Sequence, residues 1–134
     1  MSAREGGCQC GAVRYRLTGD PMVLAMCFCS DCQAQSGSAF GMSLVMPDGG
    51  FELVKGTTKS FTRPADSGNT IECVFCPECG TRLYHRPAAE RVNVKPGTLD
   101  DPSGLRPKLA VWTRRKPDWL AIPEGIRQFE GNPG

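Results

Sequence analysis

The sequence lacks a long apolar stretch. Its longest apolar run, "MVLAMCF" at residues 22–28, is far shorter than the roughly 20 residues that a membrane-spanning helix needs. The opening "MSAREGGCQC" also lacks the apolar segment of a secretory signal. These absences predict a cytoplasmic protein with no membrane partner. Because the cytoplasm is reducing, closely spaced cysteines there favour metal binding over disulfides.

The sequence also has little net charge and few aromatic residues. The formal net charge is +2, and aromatic residues make up 7% of the chain. Only residues 114–116, "RRK", form a dense basic run. A zinc ribbon that binds nucleic acid needs basic and aromatic residues gathered on one face. The composition therefore argues against that class, and no nucleic-acid partner is predicted.

The remaining composition is that of a small globular protein. The chain has 134 residues, of which 40% are apolar and 22% charged, and this predicts a single domain over residues 1–134. It contains 16 glycines and 11 prolines, which favour turns over long helices. No internal repeat divides the chain.

Alternating patterns dominate the sequence and predict a mainly β fold. In "AVRYRL", Val13, Tyr15 and Leu17 share one face of a strand, and the two arginines share the other. Turn residues separate the further strand candidates, which are "FGMSLVM", "FELVKG", "KSFTR", "TIECVF", "TRLYHR", "RVNV" and "KLAVWT". The exception is "SDCQAQSG", where Ser30 or Asp31 could cap a short helix and Gly37 could end it.

The eight cysteines form three clusters along the chain. These are Cys8 with Cys10, then Cys27, Cys29 and Cys32, and then Cys76 with Cys79 and the nearby Cys73. Such spacing lets one turn direct two sulfurs at one zinc ion. In "CPECG", Pro77 helps to set the turn, and Gly80 can adopt the positive φ that brings backbone amides towards the sulfurs. A secreted disulfide scaffold is the alternative, and the absent signal segment argues against it.

Spacing leaves two ways to pair these cysteines. A zinc ribbon would join Cys29 and Cys32 to the 76–79 pair. Alternatively, the first and last pairs close a four-sulfur site, and the central cluster forms a separate three-sulfur site. Three protein ligands leave the fourth position of a zinc ion open to water or substrate.

The sequence resembles the glutathione-dependent formaldehyde-activating enzymes and their relatives, which include centromere protein V. The matching segments are "GGCQCGAVRY", "CFCSDCQAQSGSAF", "FCPECGTRL" and "RRKPDWLAIPEGIRQFEG". In the family's order, they cover a core of about residues 6–131. The resemblance implies a zinc-stabilised β-tent of several short antiparallel sheets, with at most one or two short helices.

The resemblance also implies two zinc ions and a carbon–sulfur lyase activity. It assigns a structural zinc to Cys8, Cys10, Cys76 and Cys79, and a second, catalytic zinc to Cys27, Cys29 and Cys32. Many members have a histidine where this chain has Phe28, so a nearby imidazole is missing. Relatives often have arginine where this chain has Cys73.

Several other residues are candidates near that second zinc. Substrate-binding roles are predicted for Ser36, Gly37, Ser38 and Phe40 of "SGSAF", and for Trp112. The pattern places Cys73 as a buried small residue rather than a ligand. His85 is predicted to be an exposed strand residue, and Trp112 and Trp119 to pack in the core or at a sheet edge.

Together these features predict an enzyme that joins glutathione or a related thiol to a small aldehyde such as formaldehyde. The product would be S-hydroxymethylglutathione, or the enzyme would cleave this compound in the reverse reaction. Three thiolate ligands favour a soft sulfur substrate at the open zinc position. The alternative is a zinc- and thiol-binding protein of the same fold without turnover.

Overall fold

The computed structural model describes residues 3–65 and 68–133. Within these residues the chain is mainly β, with eleven strands, one α-helix and three short 3-10 helices, which confirms the predicted fold class. The strands are β1 (Ala3–Gly7), β2 (Arg14–Thr18), β3 (Val23–Cys27), β4 (Gly41–Pro47), β5 (Phe51–Lys55), β6 (Lys59–Pro64), β7 (Thr70–Phe75), β8 (Arg82–Ala88), β9 (Arg91–Val94), β10 (Leu109–Val111) and β11 (Arg127–Gln128). The α-helix is α1 (Ser30–Ser36), and the 3-10 helices are Asp48–Gly50, Pro96–Thr98 and Thr113–Arg115.

The strands form two sheets. The small sheet has the order β1-β2-β5, and the large sheet has the order β11-β10-β3-β4-β9-β8-β7-β6. Neighbours pair antiparallel except that β10 runs parallel to both β3 and β11. The alternation pattern did not indicate these parallel pairs. They are allowed because β10 joins β3 through a long connection, not through a hairpin that would fix its direction.

The main core lies between one face of the large sheet and the small sheet. The register places Val74, Tyr84, Val94 and Leu44 in one row across the large sheet, and all four belong to the main core cluster. From the small sheet, Tyr15 packs into the same cluster. Because side chains alternate along a strand, the next row presents Cys73, His85 and Asn93 on the opposite face.

A second apolar cluster holds the C-terminal segment against the end of the large sheet. Met26, Phe28 and Ala110 form its buried centre, and Phe40, Trp112, Leu120, Ile122 and Ile126 pack around them. The packing prediction for Trp119 is wrong, because 78% of this residue is exposed. The apolar residues that flank it in sequence occupy the cluster instead.

The one α-helix of the described residues is short, and a cysteine caps its start. Gly37 ends it in the left-handed conformation with φ 62°, as the sequence predicted. The N-cap, however, is Cys29 and neither Ser30 nor Asp31. The Cys29 sulfur accepts a hydrogen bond from the Cys32 backbone N–H at 3.3 Å, so the thiol takes the role usually played by a serine or aspartate oxygen. Among the described residues, no helix is long and apolar enough to cross a membrane.

Candidate metal centres and the adjoining cleft

Two cysteines near the start of the sequence and two just past its middle meet in one cluster. The sulfurs of Cys8, Cys10, Cys76 and Cys79 all lie within 4.8 Å of one another. The Cys8–Cys10 and Cys10–Cys76 sulfur separations are 3.6 and 3.8 Å. Tetrahedral zinc with Zn–S bonds of about 2.3 Å requires sulfurs about 3.8 Å apart. This four-sulfur cluster could therefore hold a metal ion such as zinc.

Two tight turns present backbone amides to these sulfurs. The N–H groups of Val13 and Glu78 donate to the sulfurs of Cys8 and Cys76 at 3.2 and 3.3 Å. Gly80 has a φ of 78°, and its N–H closes the second turn on the carbonyl oxygen of Cys76 at 2.9 Å. The positive φ expected of this glycine is confirmed. Donated hydrogen bonds favour the thiolate form that binds metals.

A threonine side chain adds to the polarity of the four-sulfur cluster. The Thr81 hydroxyl lies 3.1 Å from the Cys79 sulfur, and its hydrogen bond lowers the pKa of the Cys79 thiol to about 5. The same Thr81 oxygen accepts from the Gln9 N–H at 3.0 Å. Thr81 thus connects the N-terminal turn to the later one and holds the cysteines of both turns together.

Three further cysteines meet where β3 runs into α1. Cys27 is the last residue of β3, Cys29 caps α1, and Cys32 lies in its first turn. Their sulfurs all lie within 4.8 Å of one another. Gln33 fixes this junction, because its side-chain N–H₂ donates to the carbonyl oxygens of Phe28 and Arg115 at 2.8 and 3.1 Å.

The thiols of this cluster differ in pKa. Hydrogen bonds from Cys27 and Cys32 lower the pKa of Cys29 to about 2, and the positive charge of Arg63 acts in the same direction. Donating to Cys29 in turn raises the pKa of Cys27 to about 11. These shifts favour a thiolate at Cys29, and a bound divalent cation would favour loss of the protons of Cys27 and Cys32 as well.

The cysteines therefore separate into clusters of four and three. The structure does not bring Cys29 and Cys32 together with Cys76 and Cys79, as a ribbon would require. Cys73 belongs to neither cluster and is fully buried, which confirms its prediction as a buried small residue. Both clusters could bind a metal ion, and sulfur ligands suit zinc.

A cleft lies beside the three-sulfur cluster. Its larger cavity has a volume of about 330 Å³ and is lined by Gln35, Ser36, Phe40, Gly41, Met42, Arg82, Lys95, Pro96 and Gly97. A smaller cavity of about 220 Å³ is lined by Asp31, Ala34, Gln35, Phe61, Arg63 and Arg82. The two share Gln35 and Arg82, so they form neighbouring parts of one cleft.

Glycine at position 41 keeps the cleft and the cysteines close together. Gly41 pairs with Cys27 across β3 and β4, and it also lines the larger cavity. A Cβ atom at this position would lie 3.1 Å from the Cys32 Cβ and 2.7 Å from the Gln35 side-chain nitrogen. The absence of a side chain therefore lets α1 lie directly against β4.

The predicted substrate-binding residues fall in different places. Ser36 and Phe40 line the larger cavity, and the Ser36 hydroxyl donates to the Phe40 carbonyl oxygen at 3.1 Å. Gly37 and Ser38 form the helix end, where the Ser38 N–H donates to a helix carbonyl oxygen at 3.3 Å. Trp112 lines neither cavity; it packs on the second apolar cluster, and its indole N–H donates to Asn132 at 3.0 Å.

Phe28 also lines neither cavity. Its ring is fully buried in the second apolar cluster and lies 5.4 Å from the ring of Phe40. Phe40 in turn lines the larger cavity. Phe28 therefore supports the wall of the cleft from behind.

Sequence reasoning missed the charged residues of the cleft and wrongly placed His85, the partner of Arg82, at the surface. The prediction of an exposed His85 is wrong, because this residue is 6% exposed. Burial is the main reason that its pKa falls to about 3, and the charges of Lys95 and Arg82 add to the effect. The neutral ring accepts a hydrogen bond at Nε2 from Arg82 Nη1 at 2.9 Å.

Alternation in β8 and β9 was the available signal for these residues. It places His85 and Asn93 on the face opposite the core, and Lys95 follows Asn93 by two positions. What the sequence did not indicate is that Gln35 and Ser36 of α1 line one cavity together with Arg82 and Lys95. Lys95, which the pattern predicts to be solvent-exposed, therefore lines a cleft.

Comparison with known proteins agrees with this geometry. The family model described as glutathione-dependent formaldehyde-activating enzyme matches residues 3–115. A Halomonas elongata protein that carries this name as a provisional assignment is 29% identical over 138 residues, covering 96% of this chain and 88% of that protein. A Sordaria macrospora protein with the same provisional name is 32% identical over 76 residues, covering 57% of this chain and only 31% of that protein.

A solved structure shares the fold. A crystal structure of a Rhodobacter sphaeroides protein matches with a TM-score of 0.57 at 20% identity, over 93% of this chain and 98% of that chain. At this identity the likeness concerns the fold alone. The match of the family model, which spans most of the sequence, carries the assignment. The chain belongs to the glutathione-dependent formaldehyde-activating enzyme family.

Proposed function

We propose that this protein is a zinc-dependent carbon–sulfur lyase that acts on glutathione or a related small thiol and a small aldehyde such as formaldehyde. The observation that carries the proposal is the three-sulfur cluster beside an open cleft. Three ligands would leave a coordination position for an exchangeable group, and the neighbouring cleft would give a small molecule access to it. The family assignment supports both substrates.

The two clusters would have different tasks. Cys8, Cys10, Cys76 and Cys79 would hold a structural zinc, because four sulfurs saturate a tetrahedral ion. Cys27, Cys29 and Cys32 would hold the second ion and act as the catalytic ligands. When bound there, zinc would stabilise the substrate thiol as its thiolate. We expect two zinc ions per chain.

The reaction itself needs few groups from the protein. The thiolate sulfur adds to the carbonyl carbon of formaldehyde, a C–S bond forms, and the former carbonyl oxygen takes up a proton to give S-hydroxymethylglutathione. In reverse, the hydroxyl loses its proton and the C–S bond breaks. Ser36 and Phe40 would hold the substrate against the wall of the cleft, with Gly37 and Ser38 shaping its rim. Trp112 would contribute indirectly, by packing in the apolar cluster that supports that wall.

The experiment is a direct rate measurement. Purified zinc-loaded protein is mixed with glutathione and formaldehyde, and exchange NMR measures the rates of adduct formation and breakdown against buffer alone. We expect acceleration in both directions that is lost in Cys29→Ala. Rates equal to the uncatalysed rates across neutral pH would overturn the proposal.

One observation favours a second candidate, a thiol-binding protein without turnover. Among the described residues that line the larger cavity, none is histidine, aspartate or glutamate, the usual side chains for general acid–base catalysis. Binding without chemistry would require only the sulfur cluster and the cleft. Calorimetric binding of glutathione combined with unaccelerated adduct formation would identify this case.

A further inference from the structure

The larger cavity carries positive charge that no carboxylate balances. Arg82 and Lys95 both line it, and its described lining includes no acidic residue. Within residues 3–65 and 68–133, neither of them takes part in an ion pair, whereas Arg14, Arg16, Arg63 and Arg86 each do. An anion in this cavity would therefore meet two unpaired cations.

Both cations are held in place by neutral partners. Arg82 Nη1 donates to Nε2 of the buried His85 at 2.9 Å, and Lys95 Nζ donates to the Met42 carbonyl oxygen at 3.3 Å. These contacts orient the positive groups without cancelling their charge. Burial lowers the pKa of Lys95, although Cys32 works against this shift. A cation that has lost part of its water interacts more strongly with a bound anion.

The cavity also has an unused hydrogen-bond donor. The side-chain nitrogen of Gln35 is buried without a partner, and Gln35 lines both cavities. A buried polar group without a partner is costly. If the Gln35 amide turned towards the cavity, its N–H₂ would donate to the carboxylate oxygen of an anion that neutralises the two cations.

The smaller cavity differs in its charge. Arg63 is already paired there with Asp31 at 3.3 Å. Arg82 lines the smaller cavity too, but only the larger cavity contains both unpaired cations, and it lies against Gly41, the strand partner of Cys27. An anionic group bound there would place the rest of a small molecule beside the three-sulfur cluster.

We infer that the larger cavity binds a carboxylate of the thiol substrate through Arg82, Lys95 and Gln35, and that the site therefore selects thiols that carry a carboxylate. This inference rests on the proposed function, because it assumes that a thiol reaches the neighbouring sulfur cluster. His85 acts as a positioning residue, since it orients the Arg82 guanidinium without touching the substrate.

The test uses S-methylglutathione, which keeps both carboxylates but has no thiol to bind a metal. Calorimetry on the zinc-loaded protein should detect binding of S-methylglutathione. The diester of S-methylglutathione, in which both carboxylates are masked, should bind at least about tenfold more weakly. Arg82→Gln and Lys95→Met should each weaken binding of S-methylglutathione by about tenfold but leave binding of the diester unchanged. The matched controls Arg91→Gln and Lys59→Met alter exposed residues outside both cavities and should bind like the wild type.

The role of His85 has its own readout. His85→Gln retains an acceptor for Arg82 and should keep the preference for the free acid over the diester, whereas His85→Phe should reduce it. Equal affinity for the acid and the diester in the wild type would overturn the inference, even if adduct formation with glutathione is accelerated. Acid-selective binding without any acceleration would instead support the carboxylate site and contradict the lyase proposal.

Discussion

At the scale of single residues, the protonation state of His85 affects the positive charge beside the cleft. His85 is buried and neutral, with Lys95, Arg82 and Arg63 as its charged neighbours. A protonated imidazole would add a further positive charge in a poorly solvated place. The neutral form is therefore a condition for keeping Arg82 and Lys95 unpaired beside it.

The neutral His85 predicts a pH dependence of stability. Its pKa is lowered from 6.5 to about 3 in the folded protein, so between these values the unfolded chain binds the additional proton. Stability from this residue is complete above pH 6.5 and falls on acidification, by up to about 1.4 kcal/mol per pH unit. Denaturant melts at pH 7 and pH 5 should show a smaller loss for His85→Gln than for the wild type. Equal losses would show that His85 does not titrate with unfolding.

Phe28 gives a prediction about packing. The ring is fully buried among apolar side chains, so Phe28→His should bury an imidazole there and lower the free energy of unfolding by about 3 kcal/mol. We expect no gain in adduct formation, because the side chain lies in this apolar cluster and lines neither cavity. The control Trp119→His lies on the surface and should change stability by no more than about 0.5 kcal/mol. A faster reaction in a stable Phe28→His protein would place this side chain beside the reacting groups.

At the scale of elements, the junction of β3, α1 and β4 builds the three-sulfur cluster. One cysteine ends the strand, the next caps the helix, and the third lies in the first turn. Gly41 on β4 makes room for the helix. The spacing of the cysteines thus follows from the path of the chain through this junction.

Substitution of Gly41 tests this arrangement. In Gly41→Ala, the new Cβ would lie 3.1 Å from the Cys32 Cβ, so α1 must shift away from β4. We expect the protein to remain folded but to bind close to one zinc per chain instead of two, as measured by metal analysis. Gly49→Ala is the matched control, because a Cβ at Gly49 would meet nothing within 4 Å. Full zinc content in Gly41→Ala would show that the cluster tolerates the shift.

The elements also show what could be read from the sequence. All eight strand segments predicted from alternation contain a strand, and the short helix ends where Gly37 predicts. β3 was missed because it lies inside the large sheet, between β10 and β4, and its apolar run does not alternate. β1 contains two glycines, which are poor strand formers. The parallel pairing of β10 depends on tertiary contacts that local patterns do not contain.

The candidate site was predictable only in part. Cysteine spacing and the family resemblance identified both clusters, because closely spaced ligands leave a local signal. The charged side of the cleft left only the alternation of β8 and β9 as a signal, since Arg82 lies in β8, Lys95 follows β9, and only the folded chain brings the two to one cavity. The N-cap was assigned to the wrong residue because a thiol replaced the usual oxygen acceptor.

On the scale of the whole molecule, the two clusters connect very different lengths of chain. The four-sulfur cluster joins the turn after β1 to the turn between β7 and β8. The three-sulfur cluster spans only residues 27–32. A structural zinc site contributes an apparent ~10–16 kcal/mol, whereas a small domain has a total stability of only about 5–15 kcal/mol. The first site should therefore determine the fold, and the second should determine activity.

The most direct test measures zinc content and thermal melting, by circular dichroism, on three cysteine variants. We predict that Cys76→Ala is unfolded or insoluble, whereas Cys29→Ala melts cooperatively, binds one zinc fewer and loses glutathione-dependent activity. The control Cys73→Ala removes a buried cysteine that belongs to neither cluster, and it should keep two zinc ions and the activity. The account would be contradicted if Cys29→Ala unfolded as readily as Cys76→Ala.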